Sequence, residues 1–189
     1  MNKKEDIIDY ATTLFMEQGY LATSTRQIAK GLGITQPAIY HHFQNKEDIY
    51  VQVLQKFTKK IGDNLYNFLN SSDSPEIILV NMSEFLIQNH SMNFSLMMKD
   101  VNEELPPEVS HKIFILWQEN YFLPFYQFFD KLKHKMTEEI NLDNVPLHFL
   151  RVLAAYTDNN INHNNQLPIK EMIHIFFFGI MKKIDHLVY

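Results

Sequence analysis

The chain has 189 residues, 46% of them apolar and 13% aromatic, enough to fill a core in one large domain or in a small head and a larger body. It contains no cysteine, which excludes disulfides and thiolate metal sites. The net charge of −5 is uneven: residues 1–62 hold eight Lys and Arg against six Asp and Glu, the remainder nine against sixteen, so only the N-terminal third suits a phosphate-bearing partner.

Ile7, Ile8, Ala11, Leu14 and Phe15 recur at helical spacing and predict a first helix from about Lys3 to Gln18, ending at Gly19. The acids Glu5, Asp6 and Asp9 on this helix, like its lack of an apolar core, do not fit a signal peptide. No apolar run approaches the roughly 18 residues of a membrane span, so the expectation is a cytoplasmic protein with no membrane partner.

Ser24 and Gln27 stand at capping-box spacing and start a second helix at Thr25. Gly33 follows Leu32 where the chain must stop and turn, and glycine alone enters the left-handed conformation without a Cβ penalty. Thr35 is placed to cap a third helix, with Pro37 in its first turn, running from Gln36 to about His42. Ile28, Ala29, Leu32, Ile34, Ile39 and Phe43 supply an apolar face between these two helices, which leaves Arg26, Gln36, Tyr40 and His42 outward. Residues 24–43 therefore read as a helix-turn-helix.

Asn45 and Asp48 open a long fourth helix whose apolar face carries Ile49, Val53, Leu54, Phe57, Ile61, Leu65, Phe68 and Leu69. The break Ser71-Ser72-Asp73-Ser74-Pro75 starts a fifth, to about Asn89. A shorter helix is expected from about Asn93 to Glu104. After Leu105-Pro106-Pro107 a long aromatic helix runs from Glu108 to about Met136, kinked or divided by Pro124. Val145–Asn160 and Pro168–Leu187 complete the chain, separated by a polar loop over 162–166. The fold class is all-α: a three-helix head, a linking helix 4 and a larger helical body, about nine helices in all, divided as 1–62 and 63–189.

Gly19-Tyr20, Thr23-Ser24-Thr25-Arg26-Gln27-Ile28-Ala29, Gly33-Ile34-Thr35, Ile39-Tyr40-His41-His42-Phe43 and Asn45-Lys46-Glu47-Asp48 together resemble the DNA-binding head of the TetR family of bacterial transcription regulators. The Gln36-Pro37 pair is similar to that of the family's namesake. The likeness covers roughly the first third of the chain and implies double-stranded operator DNA as a partner. It implies that Arg26 contacts a base or phosphate, that Gln36 pairs with adenine N6 and N7, and that Pro37 and Ala38, following Thr35, pack on thymine methyls. Tyr40, His42 and Lys46 correspond to phosphate contacts, and His41 faces either the DNA backbone or solvent.

The acidic body suits a different task. Met82, Phe85, Met97, Met98, Phe114, Trp117, Tyr121 and Phe125 come from three helices that could surround an adaptable apolar pocket, although Met and Phe at helical spacing also simply fill cores. The resemblance implies a small-molecule effector there. Val152, Tyr156, Met172, Phe176, Phe177, Ile180 and Ile184 lie on two C-terminal helices whose apolar surface, widened by Ile175 and Phe178, exceeds one core-facing stripe, and are expected to form a four-helix homodimer interface.

Catalysis has little support: the histidines are scattered, and no glycine-rich phosphate loop, nucleophile elbow or His-Glu-x-x-His occurs. No cofactor is expected. The reading is a ligand-released transcriptional repressor; an activator or DNA-bound recruiter whose body binds a protein is the alternative.

Overall fold

The computed structural model describes residues 3–89, 99–138, 140–156 and 167–181. Nine α-helices lie among them, and the described residues hold no strand pairing beyond an isolated bridge between Met136 and Met181. The chain condenses into two compact units, Met1–Lys60 with His90–Gln118, and Ile61–Asn89 with Glu119–Tyr189.

In the first unit, α1 (Lys3–Ala22) breaks at Gly19, whose φ of 82° only glycine adopts without strain. α2 (Thr25–Gly31) carries the expected capping box: Ser24 Oγ accepts from Gln27 N–H while Gln27 Oε1 accepts from Ser24 N–H. Gly33, at φ 64°, turns the chain into α3 (Gln36–Tyr40). Thr35 is the N-cap of α3, but its side chain makes no capping hydrogen bond, contrary to the sequence expectation. α4 (Lys46–Leu69) begins with Asn45 Oδ1 accepting from Asp48 N–H at 2.8 Å.

The head core is built from Ile7, Ala11 and Phe15 of α1, Ile28 of α2, Ile39 of α3 and Ile49, Tyr50 and Leu54 of α4, all buried. Ile113 joins this cluster from α6 (Pro107–Trp117), with Val101, Leu105, Val109 and Trp117 packed against it. Residues 99–118 thus pack with the head, so its compact unit is larger than residues 1–62. A buried carboxylate ties them there: Asp100 Oδ2 accepts from Tyr20 N–H at 2.9 Å and from the Tyr50 hydroxyl at 3.1 Å.

In the second unit, α5 (Pro75–Asn89) lies antiparallel to α9 (Ile169–Ile180), with His174 Nδ1 2.9 Å from Glu76 and Lys170 3.7 Å from Glu84. α7 (Leu123–Leu132) and α8 (Val145–Ala154) contribute Phe125, Phe129 and Phe149, whose rings stand 5.6 to 5.8 Å apart around Phe149. Pro124 divides the aromatic run as expected. It falls in the first turn of α7, and the π-helical turn Gln118–Phe122 before it accommodates the missing N–H and the bulk of the ring.

Candidate nucleic-acid interface

The geometry of α3 follows from one buried side chain. Ile39 is fully buried against the head core, so its helical phase turns Pro37 and Tyr40 to solvent and leaves Gln36 and Ala38 half-exposed. Thr35, His41 and His42 are also exposed, as is Arg26 near the start of α2. Eight of the nine expected DNA contacts therefore lie on accessible surface of α2, α3 and the turns around them.

Two of these side chains are fixed by a residue that the sequence reading passed over. Thr25 is buried, and its hydroxyl accepts from Gln36 Nε2 at 2.9 Å and lies 3.2 Å from the Tyr40 hydroxyl. No local pattern marks Thr25 for this role, because its partners lie 11 and 15 residues away.

Lys46 is held differently from the other eight. Its ammonium donates to the carbonyls of Tyr20 at 2.7 Å and Thr23 at 2.9 Å, and sits 3.8 Å from the centre of the Tyr20 ring. The Tyr20 carbonyl also accepts from Thr23 N–H at 3.3 Å, in the turn that follows the Gly19 break. Burial lowers the ammonium's pKa, opposed by the nearby Glu47 and Asp100 carboxylates. Lys46 thus binds α1 to α4, and an ammonium with three donors has one left for a phosphate.

Tyr20 is the hub of this arrangement. Besides its N–H and carbonyl bonds, its hydroxyl donates to Glu47 Oε1 at 2.6 Å. Burial, then that carboxylate, raises the Tyr20 pKa, and the same hydrogen bond lowers that of Glu47. Tyr50 is raised as well, by burial and by Asp100. The network holds the Glu47 carboxylate ionised and the two phenols protonated. Lys56 pairs with Asp9 of α1.

The helix-turn-helix region matches the model of the bacterial regulatory proteins of the tetR family over residues 7–53. The biofilm operon icaADBC negative transcriptional regulator IcaR of Staphylococcus aureus is 30% identical over 150 residues, which cover 78% of this chain and 80% of that protein. The chain belongs to the tetR family. IcaR of Staphylococcus epidermidis is 33% identical over 93 residues, 49% of this chain, and the match spans only 39% of that relative's length. The fold is shared with the fatty acid degradation regulator FadR of Bacillus halodurans, at a TM-score of 0.69 and 22% identity over 98% of both chains. A tetR-family protein is a DNA-binding transcription factor and not an enzyme. No described helix is long and apolar enough to cross a membrane.

The expected pocket and dimer residues divide less simply than this head. Met97 and Met98 lie outside the described residues. Phe114 is 60% exposed, because it follows the inward Ile113 by one residue and so turns about 100° away from the core. Trp117 packs on the head core. Met82, Tyr121 and Phe125 are buried in the second unit and Phe85 is half-buried, its ring 5.7 Å from that of Phe68. Burial raises the Tyr121 pKa. Of the six described residues, Phe114 and Trp117 belong to the first unit, and Met82, Phe85, Tyr121 and Phe125 to the second.

On α9 the inward face holds Met172, Ile173 and Ile180, and Phe176 sets its ring 5.1 Å from that of Phe149. Met172 and Ile180 are thus buried within the chain itself, and Phe176 is half-buried. Ile175 and Phe178 are outward at 57% and 56% exposure, joined on α8 by Val152. Tyr156 and Phe177 are half-buried, and Ile184 lies outside the described residues.

Proposed function

We propose that the protein is a cytoplasmic transcriptional repressor that binds a pseudo-palindromic operator as a homodimer and is released by a small, largely apolar effector. The observation that carries this reading is the open edge of α3, with Gln36, Pro37, Ala38 and Tyr40 accessible while Ile39 anchors the helix from behind. A short helix held in this way can enter a major groove end-on, and two heads about 34 to 36 Å apart engage successive turns of one duplex face. Repression, in preference to activation, is supported by the IcaR relatives, which are named negative regulators. For the effector, the candidates among the described residues of the second unit are Met82, Phe85, Tyr121 and Phe125, since Met and aromatic side chains repack around apolar ligands.

The test begins by selecting duplexes with the purified protein from a random pool. The selected sequence is expected to hold two inverted half-sites, and a single unpaired half-site or no consensus overturns the dimeric reading. Gln36→Ala is then expected to lose about 1 to 3 kcal/mol at one base pair per half-site and to relax preference there. Equal weakening on every duplex contradicts direct readout.

A further inference from the structure

Resting on that reading of Gln36, we propose that Thr25 is a positioning residue for base recognition: its hydroxyl, with its proton committed to Tyr40, fixes which way round the Gln36 carboxamide faces the DNA.

A threonine hydroxyl has one proton and two acceptor sites. Gln36 presents Nε2 to it at 2.9 Å, and an amide nitrogen only donates, so the Thr25 oxygen accepts there. The Tyr40 hydroxyl is 3.2 Å away, a contact that runs in either direction in the free protein. DNA removes that freedom. Tyr40 is 47% exposed at the end of α3, and a phosphate oxygen offers it nothing but an acceptor. Once Tyr40 donates to phosphate, its own oxygen is left to accept, and the Thr25 proton goes to it.

Thr25 then has no proton for Gln36 Oε1. A carboxamide turned by 180° would bring Oε1 against a bare hydroxyl oxygen, so the observed orientation is kept. The second Nε2 proton and Oε1 stay available on the outer side, one donor and one acceptor, the complement of adenine N7 and N6–H. The direction of a backbone contact is thereby carried through two hydroxyls into the choice of base. Thr25 is buried and sits at the first position of α2, so its place is set by the capped start of that helix.

The experiment measures affinities of the full chain, at one salt concentration, for a duplex selected from a random pool and for versions with each base pair replaced. Gln36→Ala first identifies the base pair that Gln36 reads. Thr25→Val, of the same shape without the hydroxyl, is expected to lower discrimination at that pair about tenfold and to leave other positions unchanged. Thr25→Ser is expected to retain it. Tyr40→Phe should weaken all duplexes and also relax this one position, because Thr25 regains a proton to offer Oε1. In the Gln36→Ala background Thr25→Val should add nothing at that pair. Each discrimination is a ratio within one preparation, so a partly unfolded variant does not distort it. If Thr25→Val weakens every duplex equally while Gln36→Ala still loses its base preference, the positioning role is overturned and direct readout stands. Uniform weakening by Gln36→Ala overturns both.

Discussion

Glu47 makes the charge network around Tyr20 measurable. The Tyr20 hydroxyl bonds its carboxylate at 2.6 Å, which holds the folded-state pKa below the ordinary 4.5. As pH falls through 4.5 the unfolded chain takes up this proton before the folded one does, so its contribution to stability is present above that value and fades as pH drops through the folded pKa. Glu47→Gln removes the titration and keeps an acceptor for Tyr20. Its thermal midpoint is expected to fall less steeply than that of the parent as pH is lowered through this range. Parallel pH profiles for the two proteins would show that the bond to Tyr20 has no weight in solution.

Among the elements, the two short helices of the reading head contrast in how they start. α2 has a reciprocal cap in Ser24 and Gln27, whereas Thr35 before α3 makes no side-chain capping bond. Ser24→Ala is therefore expected to lower stability by about 1 kcal/mol, and Thr35→Ala by distinctly less, as read from denaturant midpoints. Equal losses would mean that the Thr35 hydroxyl caps α3 in solution. The Ser24 box, the Gly33 turn and the divided helix at Pro124 were legible in the sequence because each is decided by residues a few positions apart. The link from Asp100 to Tyr20 spans 80 residues and leaves no local trace. The phase of α9 was hidden for another reason: in Ile-His-Ile-Phe-Phe-Phe-Gly-Ile nearly every position is apolar, so periodicity does not tell inward Phe176 from outward Phe178. Likewise Met82 and Phe125 have the composition of an adaptable pocket and of a packed core, and helical spacing does not tell those two uses apart.

At the scale of the whole molecule, the proposed dimer must use surface that the chain's own core leaves over. On α9 that surface is Ile175 and Phe178, each more than half exposed, with Val152 at 38% and Leu147 at 42% on α8. Apolar side chains grouped on two helices favour a partner of the same kind, and a two-fold axis would supply it as a second copy. Replacing Ile175 and Phe178 together by lysine adds charge without touching Met172, Ile173 or Ile180, which hold α9 to its own unit. The expected outcome is a folded monomer in sedimentation, with operator affinity lower by at least about tenfold because the second head no longer binds as a tethered neighbour. Its affinity for an isolated half-site should be unchanged. A double variant that stays dimeric and holds the full operator as tightly as the parent would place the two-fold contact elsewhere on the chain.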